Sequence, residues 1–169
     1  LIGDSHAVQW LPALEQLADE EGWRLYSLTK SACPVPRTTV IVRGKRLRDC
    51  DRWRTAAFER IERLHPDLVI AASLGRIYEM PGGDTRRRRD RLWRAAWIDS
   101  LEALRARAGA VVLLGDTPMW REDPIDCLRD HPRDISRCDT PRDEAVSVRT
   151  DAIERAAAER AHVGYVPTA

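Results

Sequence analysis

The sequence predicts an α/β fold, a three-layer, doubly wound sheet of five parallel strands. Three observations predict it. Apolar segments of strand length alternate with segments of helical period, in the order β-α-β-α-β-α-β-α-β. Two strand-length runs, 67–73 (DLVIAAS) and 110–116 (AVVLLGD), are almost continuously apolar, as strands covered on both faces require. The loops after strands are long, and the turns before strands are short. Alternation of this kind makes a parallel sheet with helices on both faces. Right-handed crossovers make it doubly wound. Ligands of such sheets bind outside the carboxyl ends of the strands, where the long loops lie.

The elements follow in order. Leu1 and Ile2 close the first strand. Ala7, Leu11, Leu14 and Leu17 with Ala18 recur at helical spacing. Pro12 lies in the early turns of that helix or marks its start, and Gly22 ends it. Residues 23–29 alternate apolar and polar as a second strand. A long loop, 30–49, follows, with a short extra strand at 40–42. The next helix starts at Asp49 or Asp51, carries Trp53, Ala57, Ile61 and Leu64 on one face, and stops at His65-Pro66. After the third strand comes a loop over 74–90. Its run Arg86, Arg87, Arg88, Arg89 reads as a solvated loop before a helix, with contact to an anionic glycan or lipid headgroup as the alternative. Helical period resumes at Leu92, Ala96, Leu101 and Leu104 and ends near Gly109. A third loop spans 117–141 after the fourth strand. Pro141 stands where a helix N1 proline would, and Ala145, Val148, Ala152, Ile153 and Ala156 continue that helix. After Gly164 a fifth strand begins.

No repeat or low-complexity linker divides the 169 residues, so 1–169 reads as one domain, a piece truncated at both ends. Hydrophobic residues make up 43% and charged residues 33%, which suits a globular chain. The formal net charge of +1 removes any global electrostatic case for nucleic acid or an anionic membrane. No apolar run approaches the roughly 20 residues that span a bilayer, and no signal peptide is visible. There is no Gly-rich phosphate loop and no metal-ligand cluster, so no metal or cofactor is expected.

Cys33 and Cys50 bracket one loop, and Cys127 and Cys138 bracket another. None belongs to a CxxC, which argues against a zinc site. Two local disulfides, Cys33–Cys50 and Cys127–Cys138, are the simplest reading and imply an oxidising compartment. The other reading is four buried thiols in a cytosolic protein.

The most reactive-looking residue is Ser5. Gly3 permits a tight strand-to-helix turn. Ser5 then stands at a helix N-terminus, near unpaired backbone N–H groups and the positive end of the helix dipole. Those donors suit an oxyanion, and the position suits a nucleophile in acyl transfer. Ser and Asp are also good helix caps, so on spacing alone Ser5 is either a nucleophile or a cap.

Several motifs then fall in order along the chain: GDSHAVQWLPALEQLA (3–18), CPVP (33–36), CDRWR (50–54), HPDLVIAAS (65–73), LLGDTP (113–118), and CLRD (127–130) with Cys138. Together they resemble the SGNH hydrolases, also called GDSL-type esterases. More narrowly, they resemble the SGNH domain fused to acyltransferase-3 type membrane acyltransferases. The resemblance covers nearly the whole chain. It implies a flavodoxin-like SGNH fold and an extracytoplasmic domain tethered through an upstream membrane domain. It implies Ser5 as nucleophile, with an acyl group, commonly acetyl, passed to a cell-surface glycan. The acyl donor is delivered by the multi-helix membrane part. Gly3, Asp4, His6 and Asp116 support the motif.

The chain departs from the family pattern at the oxyanion hole. The expected donors are the backbones of Ser5, Ala32 and Gly75, with the side chain of Arg76 as a substitute. The family's asparagine donor is missing, because that block falls on Ser73-Leu74-Gly75. The base is also displaced. His65 and His162 precede strands and so lie at the opposite sheet edge from Ser5. His6 adjoins Ser5; its ring is expected to diverge from the hydroxyl and to pack or hydrogen-bond locally. His131 lies on the correct side and is the alternative base, though a surface histidine in a disulfide loop is the plainer reading. The resemblance places the acid and base in a D-x-x-H motif beyond Ala169. Asp116 either orders the site or caps the turn at Pro118. Trp120 either packs or stacks on a sugar.

The function expected is O-acyl transfer to a cell-surface carbohydrate. A carbohydrate esterase using the same serine and a non-catalytic glycan-binding module are the alternatives.

Overall fold

Parallel pairing organises five strands of the chain. The computed structural model describes residues 1–75 and 77–168. The sheet strands are β1 (Ile2–Gly3), β2 (Leu28–Thr29), β5 (Leu68–Ala72), β6 (Ala110–Leu114) and β7 (Gly164–Val166), in the order β2-β1-β5-β6-β7. Counting only these strands, that is the 2-1-3-4-5 order of a doubly wound, flavodoxin-like sheet. β3 (Ile41–Val42) and β4 (Lys45–Arg46) form a separate antiparallel hairpin. The expected extra strand at 40–42 is one arm of it.

The helices are α1 (Ser5–Val8), α2 (Leu11–Glu21), α3 (Arg48–Leu64), α4 (Arg86–Arg105), α5 (Pro124–Asp130), α6 (Arg142–Ala145) and α7 (Val148–Ala161). α4 packs along α7. Phe58 and Ile61 of α3, Trp97, Leu101 and Leu104 of α4, and Ala157 and Ala158 of α7 form the main core on the sheet. Full burial of a leucine such as Leu101 contributes about 2 kcal/mol. The two sheet faces are not covered alike. Val69, Ala71, Val111 and Leu113 are buried, whereas Ile70, Val112 and Leu114 on the other face are half-buried.

Several boundaries differ from the sequence expectation. The first helix is two, because the chain turns at Gln9 and Trp10, and α2 starts anew at Leu11 with Pro12 in its first turn. Gly22 closes α2 in the left-handed region at φ 68°, as expected. The second strand is only Leu28–Thr29, since its neighbour β1 offers just Ile2 and Gly3 for pairing. Arg86 to Arg89 are not a loop. The Thr85 side chain caps the Arg88 N–H and starts α4 at Arg86. The third long loop contains α5 and a 3-10 turn, Ile135–Cys138. The last helix breaks at Val146, and Ser147 caps α7 anew. α7 therefore buries Thr150, Glu154, Ala157, Ala158 and Ala161, and Val148 is exposed. In α4 it is Trp93, not Leu92, that enters the core.

Both disulfides pair as expected, Cys33–Cys50 and Cys127–Cys138, with Cα–Cα distances of 5.0 and 5.8 Å. The first ties the loop after β2 to α3. The second staples α5 to the 3-10 turn.

Candidate active site

The site is built at the carboxyl edge of β1. Gly3 is the last residue of that strand. A Cβ there would stand 2.0 Å from the Ala72 carbonyl oxygen and 2.5 Å from the Ala7 Cβ. Only glycine lets β1 pair with β5 while α1 folds back over the strand end. Asp4 follows, fully buried, as the helix N-cap. Its carboxylate accepts from the His6 N–H at 2.9 Å, the Leu74 N–H at 3.1 Å and the Tyr78 hydroxyl at 2.8 Å. Burial pushes the Asp4 carboxyl above its ordinary range, while these donors and the nearby His6 pull it back. The same burial, with Asp4 beside it, pushes the Tyr78 hydroxyl up, so it stays a neutral donor.

This settles which residue is the cap. Asp4 takes that role, and Ser5 is the first residue of the helix. Ser5 is exposed. Its hydroxyl makes no hydrogen bond to a described residue.

The His6 ring does not bond locally. Its Nδ1 meets Asp116 Oδ1 at 2.7 Å, with the Thr117 hydroxyl 3.2 Å from the same nitrogen. A carboxylate acceptor makes Nδ1 the protonated nitrogen. Asp116 Oδ2 accepts the Gly75 N–H at 3.1 Å. Asp116 thus joins the loop ends after β1, β5 and β6.

That bond engages one of the expected oxyanion donors. The Gly75 N–H is directed at Asp116 Oδ2, so a substrate oxygen would have to displace a carboxylate to use it. Ser5 and Ala32 keep their N–H groups clear of described partners. Ala32 sits in the left-handed region at φ 59°, which turns the loop after β2 sharply. Arg76 lies outside the described residues.

One participant was missed by sequence reasoning. Glu154 of α7 is 0% exposed, and its Oε2 accepts the Asp116 N–H at 3.2 Å. Among the described residues its Oε1 has no hydrogen-bond partner. Desolvation first, then Asp116, pushes this carboxyl well above the ordinary range. A glutamate in an alanine-rich helix gives no sequence signal of burial.

The other histidines stand apart. His65 and His162 are left-handed C-caps of α3 and α7, at the edge where strands enter. His131 caps the end of α5, which packs on its own 3-10 turn. A cleft of about 140 Å³, lined by Asp116, Arg142, Ser147, Asp151, Arg155 and Thr168, opens beside the site. A cavity of about 390 Å³ between Arg37, Arg54, Phe58 and Arg107 does not include it. Trp120 is exposed. Among the described residues no group of His, Cys, Asp and Glu has the arrangement of a metal site.

A buried aspartate cap and an exposed serine at the first strand end of a 2-1-3-4-5 sheet define an SGNH-type domain. The family model "SGNH domain (fused to AT3 domains)" matches residues 1–169, and the chain belongs to that family. Among solved structures it is similar to the lipopolysaccharide acetyltransferase periplasmic domain of Salmonella ser. Paratyphi A, with a TM-score of 0.70 at 16% identity. That likeness covers 99% of this chain, which spans only 64% of the other. No curated protein matches the chain.

Proposed function

We propose that the chain is the acyl-transferring domain of a membrane O-acyltransferase, acting outside the cytoplasm on a cell-surface carbohydrate. Ser5 Oγ attacks the acyl carbonyl carbon and gives its proton to a base. The base passes that proton to the departing donor group, and the serine carries the acyl group as an ester. A sugar hydroxyl then attacks that ester carbonyl while the base takes its proton, and the base returns this proton to Ser5 Oγ as the bond from Oγ to the acyl carbon breaks. The Ser5 and Ala32 N–H groups are the donors for the transient oxyanion. By the family resemblance, the base and its carboxylate come from a D-x-x-H motif.

The observation that carries this reading is the division of labour at the turn. Asp4 does all the capping, which leaves the Ser5 hydroxyl exposed for chemistry. The two disulfides support an oxidising compartment. The acetyltransferase neighbour supports transfer over hydrolysis.

The test is turnover of an aryl acetate by the full-length protein, with and without glycan acceptor, and with Ser5→Ala. Acetylated glycan formed only by the wild type is the expected result. Free acetate as the sole product in the presence of acceptor overturns transfer and leaves an esterase. Glycan binding with unchanged cellular O-acylation in Ser5→Ala leaves a binding module.

A further inference from the structure

We propose that the exposed N-terminal half of α4 docks on an anionic lipid bilayer and holds the Ser5 edge of the sheet toward it. Residues 84–94 carry six arginines and two aspartates, a net +4, in a chain whose net charge is +1. Arg88 is spent on Asp84 at 3.2 Å, Arg89 on the Gly83 carbonyl at 3.0 Å, and Asp90 on Arg149 at 2.9 Å. Arg86, Arg87, Arg91 and Arg94 are exposed, and none has a partner among the described residues. Arg87, Arg91 and Arg94 recur at helical spacing, so they share one face.

Folding alone does not ask for this arrangement. Cations in the first turn oppose the helix dipole, and α4 has no acidic residue there. The position is also pointed. Arg89, Asp90 and Trp93 line a cavity of about 40 Å³ together with Gly75, whose N–H bonds the Asp116 that holds His6. The N-terminal half of α4, which carries the basic face, therefore lies at the carboxyl edge of the sheet, where Ser5 stands.

The shape favours lipid headgroups over a glycan. The four arginines stand on the convex surface of a helix and line none of the cavities described above. The face offers no aromatic ring for a sugar, since Trp93 is buried. An array of unpaired cations attracts an anionic surface across about a Debye length, roughly 10 Å. Fusion of this family to AT3 domains supplies the bilayer nearby. The inference rests on the extracytoplasmic, membrane-tethered reading and not on the chemistry of Ser5.

The test is co-sedimentation of the chain with vesicles of equal parts phosphatidylglycerol and phosphatidylcholine, against phosphatidylcholine alone. Binding only to the anionic vesicles, lost at high salt, is expected. The triple variant Arg87→Gln, Arg91→Gln, Arg94→Gln should bind about a hundredfold more weakly, about fivefold per arginine. Its unfolding midpoint should hold or rise. Arg60→Gln with Arg63→Gln, on exposed positions of α3, should keep binding, as should Ser5→Ala. Binding by Ser5→Ala separates this inference from the acyl-transfer reading. Equal or no binding to both vesicles overturns docking, as does undiminished binding by the triple variant. Capture of soluble polygalacturonate without vesicle binding overturns it in favour of an acidic glycan.

Discussion

His6 Nδ1 lies 2.7 Å from Asp116 Oδ1, so residues 110 positions apart meet, one of them the chain neighbour of Ser5. The contact binds the first helical turn to the end of β6. Asp116→Ala removes the acceptor for both His6 and the Gly75 N–H. It should destabilise by about 2–3 kcal/mol, the cost of leaving buried donors without that partner. A urea midpoint measures it. A midpoint like the wild type's would show that the contact carries no stability.

Ser5→Ala should leave stability within about 0.5 kcal/mol, because the hydroxyl is exposed and Asp4 is the cap. In the full-length protein the same change should abolish acyl transfer and labelling by a serine-directed reagent. Thermal melting and mass spectrometry separate the two effects. A large loss of stability would restore Ser5 to a capping role.

Gly3→Ala should cost roughly 3 kcal/mol or more, because the new methyl meets backbone at 2.0 Å and neither strand can retreat. Gly22→Ala is the comparison. Nothing lies within 4 Å of its Cβ position, and only its φ of 68° resists, so about 1–2 kcal/mol is expected. Equal losses at the two sites would contradict the packing account of Gly3.

Glu154 sets a pH dependence. Burial, and then the nearby Asp116, raises its folded carboxyl well above the ordinary glutamate range, which the unfolded chain keeps. The folded state therefore keeps a proton that the unfolded state releases. Stability is greatest below the unfolded value and falls as pH rises towards the folded one. Asp4 acts in the same direction. Glu154→Gln should remove the larger part of the decline that sets in as pH rises above the ordinary glutamate range. Urea unfolding across a pH series tests this. An unchanged slope in the variant would assign the decline elsewhere.

The disulfides predict a graded response to reduction. Closing loops of 17 and 11 residues, each bridge should contribute about 3 kcal/mol. Cys33 and Cys50 are both buried in the main core, so Cys33→Ser with Cys50→Ser should also disturb packing there. Cys127→Ser with Cys138→Ser should loosen only α5 and the 3-10 turn. Amide hydrogen exchange would distinguish a local from a global loss.

Most of the fold was legible because its signals are local. The apolar runs at 67–73 and 110–116, the glycine turns and the close cysteine pairs each need only a few neighbouring residues to be read. The errors arose where local signals compete. The apolar spacing from Ala7 to Ala18 ran smoothly across Gln9 and Trp10, although the chain turns there before Pro12. The arginine run looked like a loop, although Thr85 before it is a good N-cap. The spacing from Ala145 to Ala156 hid a break at Val146, and with it the true buried face of α7.

By itself, then, the sequence determined the alternation, the edge on which Ser5 stands and both bridges, because period and short loop closure are properties of neighbouring residues. Tertiary structure decided the rest. Pairing of Gly3 beside Ala72 brings Leu74 and Tyr78 onto Asp4, and this makes Asp4 the cap and leaves Ser5 unencumbered. Docking of β6 and α7 sets Asp116 against His6 and Gly75, and Glu154 beneath them. These partners lie tens of positions apart, and only packing that excludes water makes each of them the nearest group available.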